Sequence, residues 1–74
     1  MQLQLNSIDA DRPDRRAIAR MLAEIADDVD HNLANEYVDI LIEGSPVEIE
    51  VSFNESSAFR ALRKHDVDYE IIEG

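Results

Sequence analysis

Met1, Leu3 and Leu5 alternate with Gln2, Gln4 and Asn6 at the start of the chain. A period of two marks a half-buried β-strand over the first eight residues. The period then changes. Ile18, Leu22, Ile25, Val29 and Leu33 recur at steps of four, three, four and four. That stripe predicts one helix of about four turns. Asp11 is placed to cap its start, and Pro13 fits its first turn, where a missing N–H is harmless. Asp27, Asp28 and Asp30 lie toward the other end, opposed to the helix dipole. Helix stability alone does not select that arrangement.

The stretch YVDILIEGSPVEIEVSF, residues 37–53, returns to alternation. It predicts two strands, 37–43 and 47–53, joined by a turn at Gly44, Ser45 and Pro46. Val38, Ile40 and Ile42 are expected in the core, with Tyr37, Asp39, Leu41 and Glu43 facing out. In the next strand Val47, Ile49, Val51 and Phe53 are expected inside and Glu48, Glu50 and Ser52 outside. Residues 54–65 predict a second helix, with Asn54 as its cap and Ala58, Phe59, Ala61 and Leu62 on its buried side. The final strand sets Val67, Tyr69 and Ile71 inward and Asp68, Glu70 and Ile72 outward.

The predicted order is therefore strand, helix, strand, strand, helix, strand over a single domain, residues 1–74. That order resembles the ferredoxin-like α+β superfold, a two-layer sandwich with two helices on one face of a four-stranded antiparallel sheet. The resemblance is one of element order and carries no family motif, and a superfold does not fix a function. It implies a strand order of 4-1-3-2, with the second and fourth strands at the edges and the Glu48–Glu50 strand in the interior.

Charge sharpens this picture. The chain of 74 residues has 17 Asp and Glu against seven Lys and Arg, a net charge of −10. The basic residues fall in two windows, 12–20 and 60–64, both expected on helices. The open sheet face would then carry Asp39, Glu43, Glu48, Glu50, Asp68 and Glu70 and no cation. Such a face disfavours direct contact with nucleic acid or anionic membrane and attracts basic partners. It is nearly the reverse of the RNA-recognition domain, which shares the element order but presents aromatic and basic residues on its sheet. Two ordinary explanations compete. Charged outward residues keep sheet edges from pairing, and a composition poor in Lys and rich in acids also suits a salt-loving source.

Catalytic chemistry has little to work with. There is no cysteine and, with glycine only at positions 44 and 74, no glycine-rich phosphate loop. His31 and His65 have no partner at ligand spacing, and the serines have no base at recognisable spacing. Asp9, Asp11 and Asp14 lack the glycine and terminal Glu of a calcium loop. No catalytic, cofactor or metal residue is predicted. Arg12, Arg16 and Arg20 share a helix side, where nearby acids offset them. No apolar run reaches the length of a membrane span and no signal peptide is evident, so a cytoplasmic location is expected.

These observations predict a small non-catalytic interaction protein, monomer or homodimer, that needs no cofactor. The predicted partner is a basic protein, with nucleic-acid-binding proteins the natural class, since their basic channels would meet carboxylates as they meet phosphates. Short acidic domains of this kind resemble phage and viral proteins that block host defence nucleases. The predicted partner-binding residues are Tyr37, Asp39, Leu41, Glu43, Glu48, Glu50, Asp68 and Glu70. The alternative is a ferredoxin-like regulatory or oligomerisation domain, of halophilic origin, whose acids serve solubility.

Overall fold

A computed structural model describes residues 1–72. The elements run β1 (Gln2–Ile8), α1 (Arg15–Ile25), α2 (His31–Glu43), β2 (Val47–Glu50), α3 (Glu55–Lys64) and β3 (Val67–Ile72). The three strands form one antiparallel sheet in the order β2-β1-β3. The fold is a small α+β arrangement of three helices against that sheet.

The main correction to the sequence reading is at residues 37–43, which are the second half of α2 and not a strand. Ala34, Val38 and Leu41 are buried, and their spacing of four and three is helical. Ile42, expected in the core, is 36% exposed. The supposed hairpin turn is a helix stop. Gly44 is left-handed at φ 98°, and its N–H and that of Ser45 return to the carbonyls of Leu41 and Ile40. Those bonds satisfy two of the last four carbonyls of the helix.

The predicted long helix is also broken. Asp14, not Asp11, caps α1 by accepting from the Ala17 N–H at 3.1 Å. α1 ends at Ile25, Ala26 is extended, and Asp28 turns the chain at φ 55°. Asp30 then caps α2 through the Leu33 N–H at 2.8 Å. The acidic run that opposed a helix dipole is thus a break between two helices, and its last member is an N-cap for the second. His31 opens α2.

Losing the second predicted strand leaves the rest of the order intact. Removing it from 4-1-3-2 gives 4-1-3, which is the observed β3-β1-β2. The consequence falls on Glu48 and Glu50, which now lie on an edge strand. β1 is the interior strand, and it is neutral on its open side.

Alternation along the strands fixes the core. Leu3 pairs with Ile49 and Ile71, and Leu5 with Val47 and Tyr69. Leu3 and Leu5 are fully buried, and Val47 and Ile49 nearly so. Each such side chain removed from water stabilises the fold by about 1.5–3 kcal/mol. α2 packs on β1 and β2, α3 packs on β3, and α1 touches both helices. Ile18, Leu22, Val38, Leu41 and Leu62 complete one contiguous core. Phe59 of α3 stacks on Tyr69 of β3 with ring centroids 5.3 Å apart.

The sheet has two irregularities. A bulge between Leu5 and Ser7 leaves Asn6 without a paired residue on β3. β2 ends at Glu50, short of the predicted Phe53. Val51 continues the ladder with one bond to Met1 O and stays buried, whereas Phe53 has turned out to 84% exposure. Asn54 follows in the left-handed region and makes no side-chain cap, although α3 begins next to it. No helix among the described residues is long and apolar enough to cross a membrane.

Candidate functional site

The sheet face away from the helices is built from the second set of alternating positions. β2 contributes Glu48 and Glu50, β1 contributes Gln2, Gln4 and Asn6, and β3 contributes Asp68 and Glu70. The register sets Gln4 between Glu48 and Glu70, and Gln2 between Glu50 and Ile72. Two carboxylate rails therefore flank a carboxamide stripe. Strand spacing puts the rails about 10 Å apart, and carboxylates on one rail follow each other at about 7 Å.

The stripe is hydrogen-bonded to one rail. Gln4 Nε2 donates to Glu70 Oε1 at 3.2 Å and to Asn6 Oδ1 at 2.7 Å. Asn6 Nδ2 donates to Asp68 Oδ2 at 3.1 Å, the contact that the bulge makes available. On the other rail, the Met1 amino nitrogen lies 3.2 Å from Glu50 Oε1. Among the described residues no Lys or Arg belongs to the strands that form this face.

The magnitudes say what this face tolerates. Two carboxylates about 7 Å apart repel by about 0.6 kcal/mol in water, which exposed side chains sustain. Beneath a docked partner, at an effective dielectric near 20, the same pair repels by about 2.4 kcal/mol. A partner that covers this face must therefore bring positive charge.

The eight residues predicted for partner binding separate into two groups. Glu48, Glu50, Asp68 and Glu70 are exposed together on the sheet face. Tyr37, Asp39, Leu41 and Glu43 belong to α2. Leu41 is 2% exposed and is core, so it is no surface anchor. Tyr37 is half-buried against the core. Asp39 faces α1, where Arg15 Nη1 lies 3.4 Å away. Both partners of that pair are well exposed, so it contributes little to stability. Glu43 is exposed near the end of the helix.

Two surface features were not foreseen. Ile71, expected inside, is 49% exposed because among the described residues no strand pairs outside β3. Phe53 lies beside a cleft of about 280 Å³ that is lined also by Glu24, Ile25, Asp27, Asn54, Ser57 and Ala58. A second groove, about 340 Å³, runs between α1 and α3 past Arg20, Glu24, Lys64 and His65. Asn54, in the left-handed region, is the local signal that the strand stops before Phe53. Edge exposure at Ile71 depends on the absent fourth strand and has no local signal.

Comparison with protein-family models, with curated proteins and with solved structures finds no match to this chain.

Proposed function

We propose that the protein is a small non-catalytic interaction module that docks its acidic sheet face on the basic surface of a partner protein. The partner class that fits is a nucleic-acid-binding protein, which the module would inhibit or regulate by occupying its basic channel. One observation carries this reading: four carboxylates line a face whose central strand presents only the amides Gln2, Gln4 and Asn6. Along each rail the carboxylate spacing is of the order of that between successive phosphates of a nucleic-acid strand. Charge complementarity of this kind speeds encounter and selects the partner.

The test is capture of a basic nucleic-acid-binding protein from a lysate of the source organism at about 0.1 M salt, near one Debye length of 10 Å. Duplex DNA or RNA should displace it. Reversing Glu48 and Glu50 together to Lys should weaken the complex by about 2–5 kcal/mol if both are desolvated in it. Retention that ignores both competitor and charge reversal contradicts the proposal.

A second reading draws on a different observation. All four carboxylates lie on edge strands, where charge also prevents unwanted pairing. A regulatory or oligomerisation domain with acids for solubility would show salt-dependent folding and self-association that charge reversal strengthens.

A further inference from the structure

The two edges of the sheet are not equivalent, and their hydrogen-bond phase can be read from the bonds just beyond the strands. Val51 N–H donates to Met1 O, which makes Gln2 and Glu50 a pair whose own N–H and C=O groups point away from each other. The outward carbonyl of Glu50 is then met by the Asp27 N–H at 2.8 Å, and Ser52 Oγ also bonds the Asp27 carboxylate. The turn between α1 and α2 thus covers one end of the β2 edge.

On the other side, Asp9 N–H donates to Asp66 O at 2.8 Å. Ile8 and Val67 are therefore also an outward-pointing pair. Alternation along β3 then turns the N–H and C=O of Val67, Tyr69 and Ile71 to its outer edge. Among the described residues none of these groups has a hydrogen-bond partner. The same edge exposes half of Ile71, whose side chain lies on the helix side of the sheet, while Asp68 and Glu70 project from the opposite side.

These features define what can pair with β3. A second copy of β3, laid antiparallel along the whole strand, sets Asp68 against Glu70 twice across the new ladder. Like charges directly opposite destabilise such a pairing. An incoming strand with cations on the solvent face and apolar residues on the helix face avoids that repulsion. We infer that the open β3 edge accepts an extended basic segment of a partner protein as a fourth strand, with alternating Lys or Arg beside Asp68 and Glu70 and apolar side chains covering Ile71 and Tyr69. This rests on the acidic-face reading and adds main-chain pairing to it, the β-augmentation mode of peptide recognition.

The experiment titrates the full chain with blocked peptides and follows its backbone amides by NMR. The main probe is a heptapeptide alternating lysine and valine. In the proposed strand, which runs antiparallel to β3, the valine nitrogens point at β3 and the lysine nitrogens point away. Binding should move and protect the amides of Val67, Tyr69 and Ile71. N-methylation of the valine nitrogens should weaken it about tenfold or more, and methylation of the lysine nitrogens should be tolerated. A peptide of equal composition with lysines and valines in separate blocks should bind at the level of charge alone. Ile71→Pro removes one outward N–H and should weaken the alternating peptide selectively; should that variant not fold, the peptide series decides.

If all peptides bind equally and perturb only Glu48, Glu50, Asp68 and Glu70, edge pairing is overturned while the acidic docking face stands. If none binds at low salt, both fail. Concentration-dependent protection of Val67, Tyr69 and Ile71 without peptide would overturn the inference in favour of self-pairing.

Discussion

Ile49 and Ile71 flank the same residue, Leu3, on opposite edges of one sheet. Ile49 is 4% exposed and Ile71 is 49% exposed. The side chains are identical and face the same layer, so the difference comes from what lies beyond each strand. Beyond β2 come α2 and the turn carrying Asp27, which takes up the Glu50 carbonyl. Beyond β3 no further strand is paired among the described residues, and α3 packs above it. An edge strand is thus defined less by its own residues than by its neighbours, and of these two edges β2 is covered at one end while β3 is open along its length among the described residues.

The largest test of that contrast is truncation. Ile49→Ala should cost about 2–5 kcal/mol, the range for a buried Ile with a cavity left behind. Ile71→Ala should cost less than about 1 kcal/mol, because much of the side chain is already in water. Equal losses in urea denaturation would show that β3 is covered as β2 is. Next in size, Asp27→Pro deletes the N–H that meets Glu50 O and should cost about 1–3 kcal/mol while making the β2 edge resemble that of β3. Faster amide exchange confined to β2 and its flank would register the change.

Smaller effects probe the helix that replaces a strand. Gly44→Ala should destabilise by about 1 kcal/mol through its positive φ. A Cβ there meets nothing within 4 Å, so the loss is one of backbone conformation alone. Asp30→Ala should cost about 1 kcal/mol by removing the cap on the Leu33 N–H. Were residues 37–43 a strand, Asp30→Ala would be close to neutral.

The sequence pattern was legible where it repeated and ambiguous where it did not. β1, α3 and β3 follow from alternation and from the Ala58 and Leu62 stripe. Residues 37–43 are rich in β-branched side chains and alternate for seven positions, which is too short to separate a strand from a helix with a buried stripe. A longer window holds the answer: Ala34, Val38 and Leu41 keep helical spacing, Asp30 precedes them as a cap, and Gly44 follows as a stop. Gly44 suits a hairpin turn and a helix end equally, since both use a positive φ. Of the candidate face, Glu48, Glu50, Asp68 and Glu70 were readable from strand alternation alone. Tyr37, Asp39, Leu41 and Glu43 inherited their placement from the misread segment. The covering of Glu50 O by Asp27 and the exposure of Ile71 depend on contacts between distant residues and leave no local trace.

Amide hydrogen exchange of the free protein at low concentration tests the central claim most directly. The claim is a three-stranded sheet with an open β3 edge, and a helix at residues 37–43 packed on β1 and β2. It predicts slow exchange at Asp68, Glu70 and Ile72, fast exchange at Val67, Tyr69 and Ile71, and unbroken protection from Tyr37 to Glu43. Alternating protection through residues 37–43, together with slow exchange at Tyr69 and Ile71, would contradict it and would restore a further strand to the sheet.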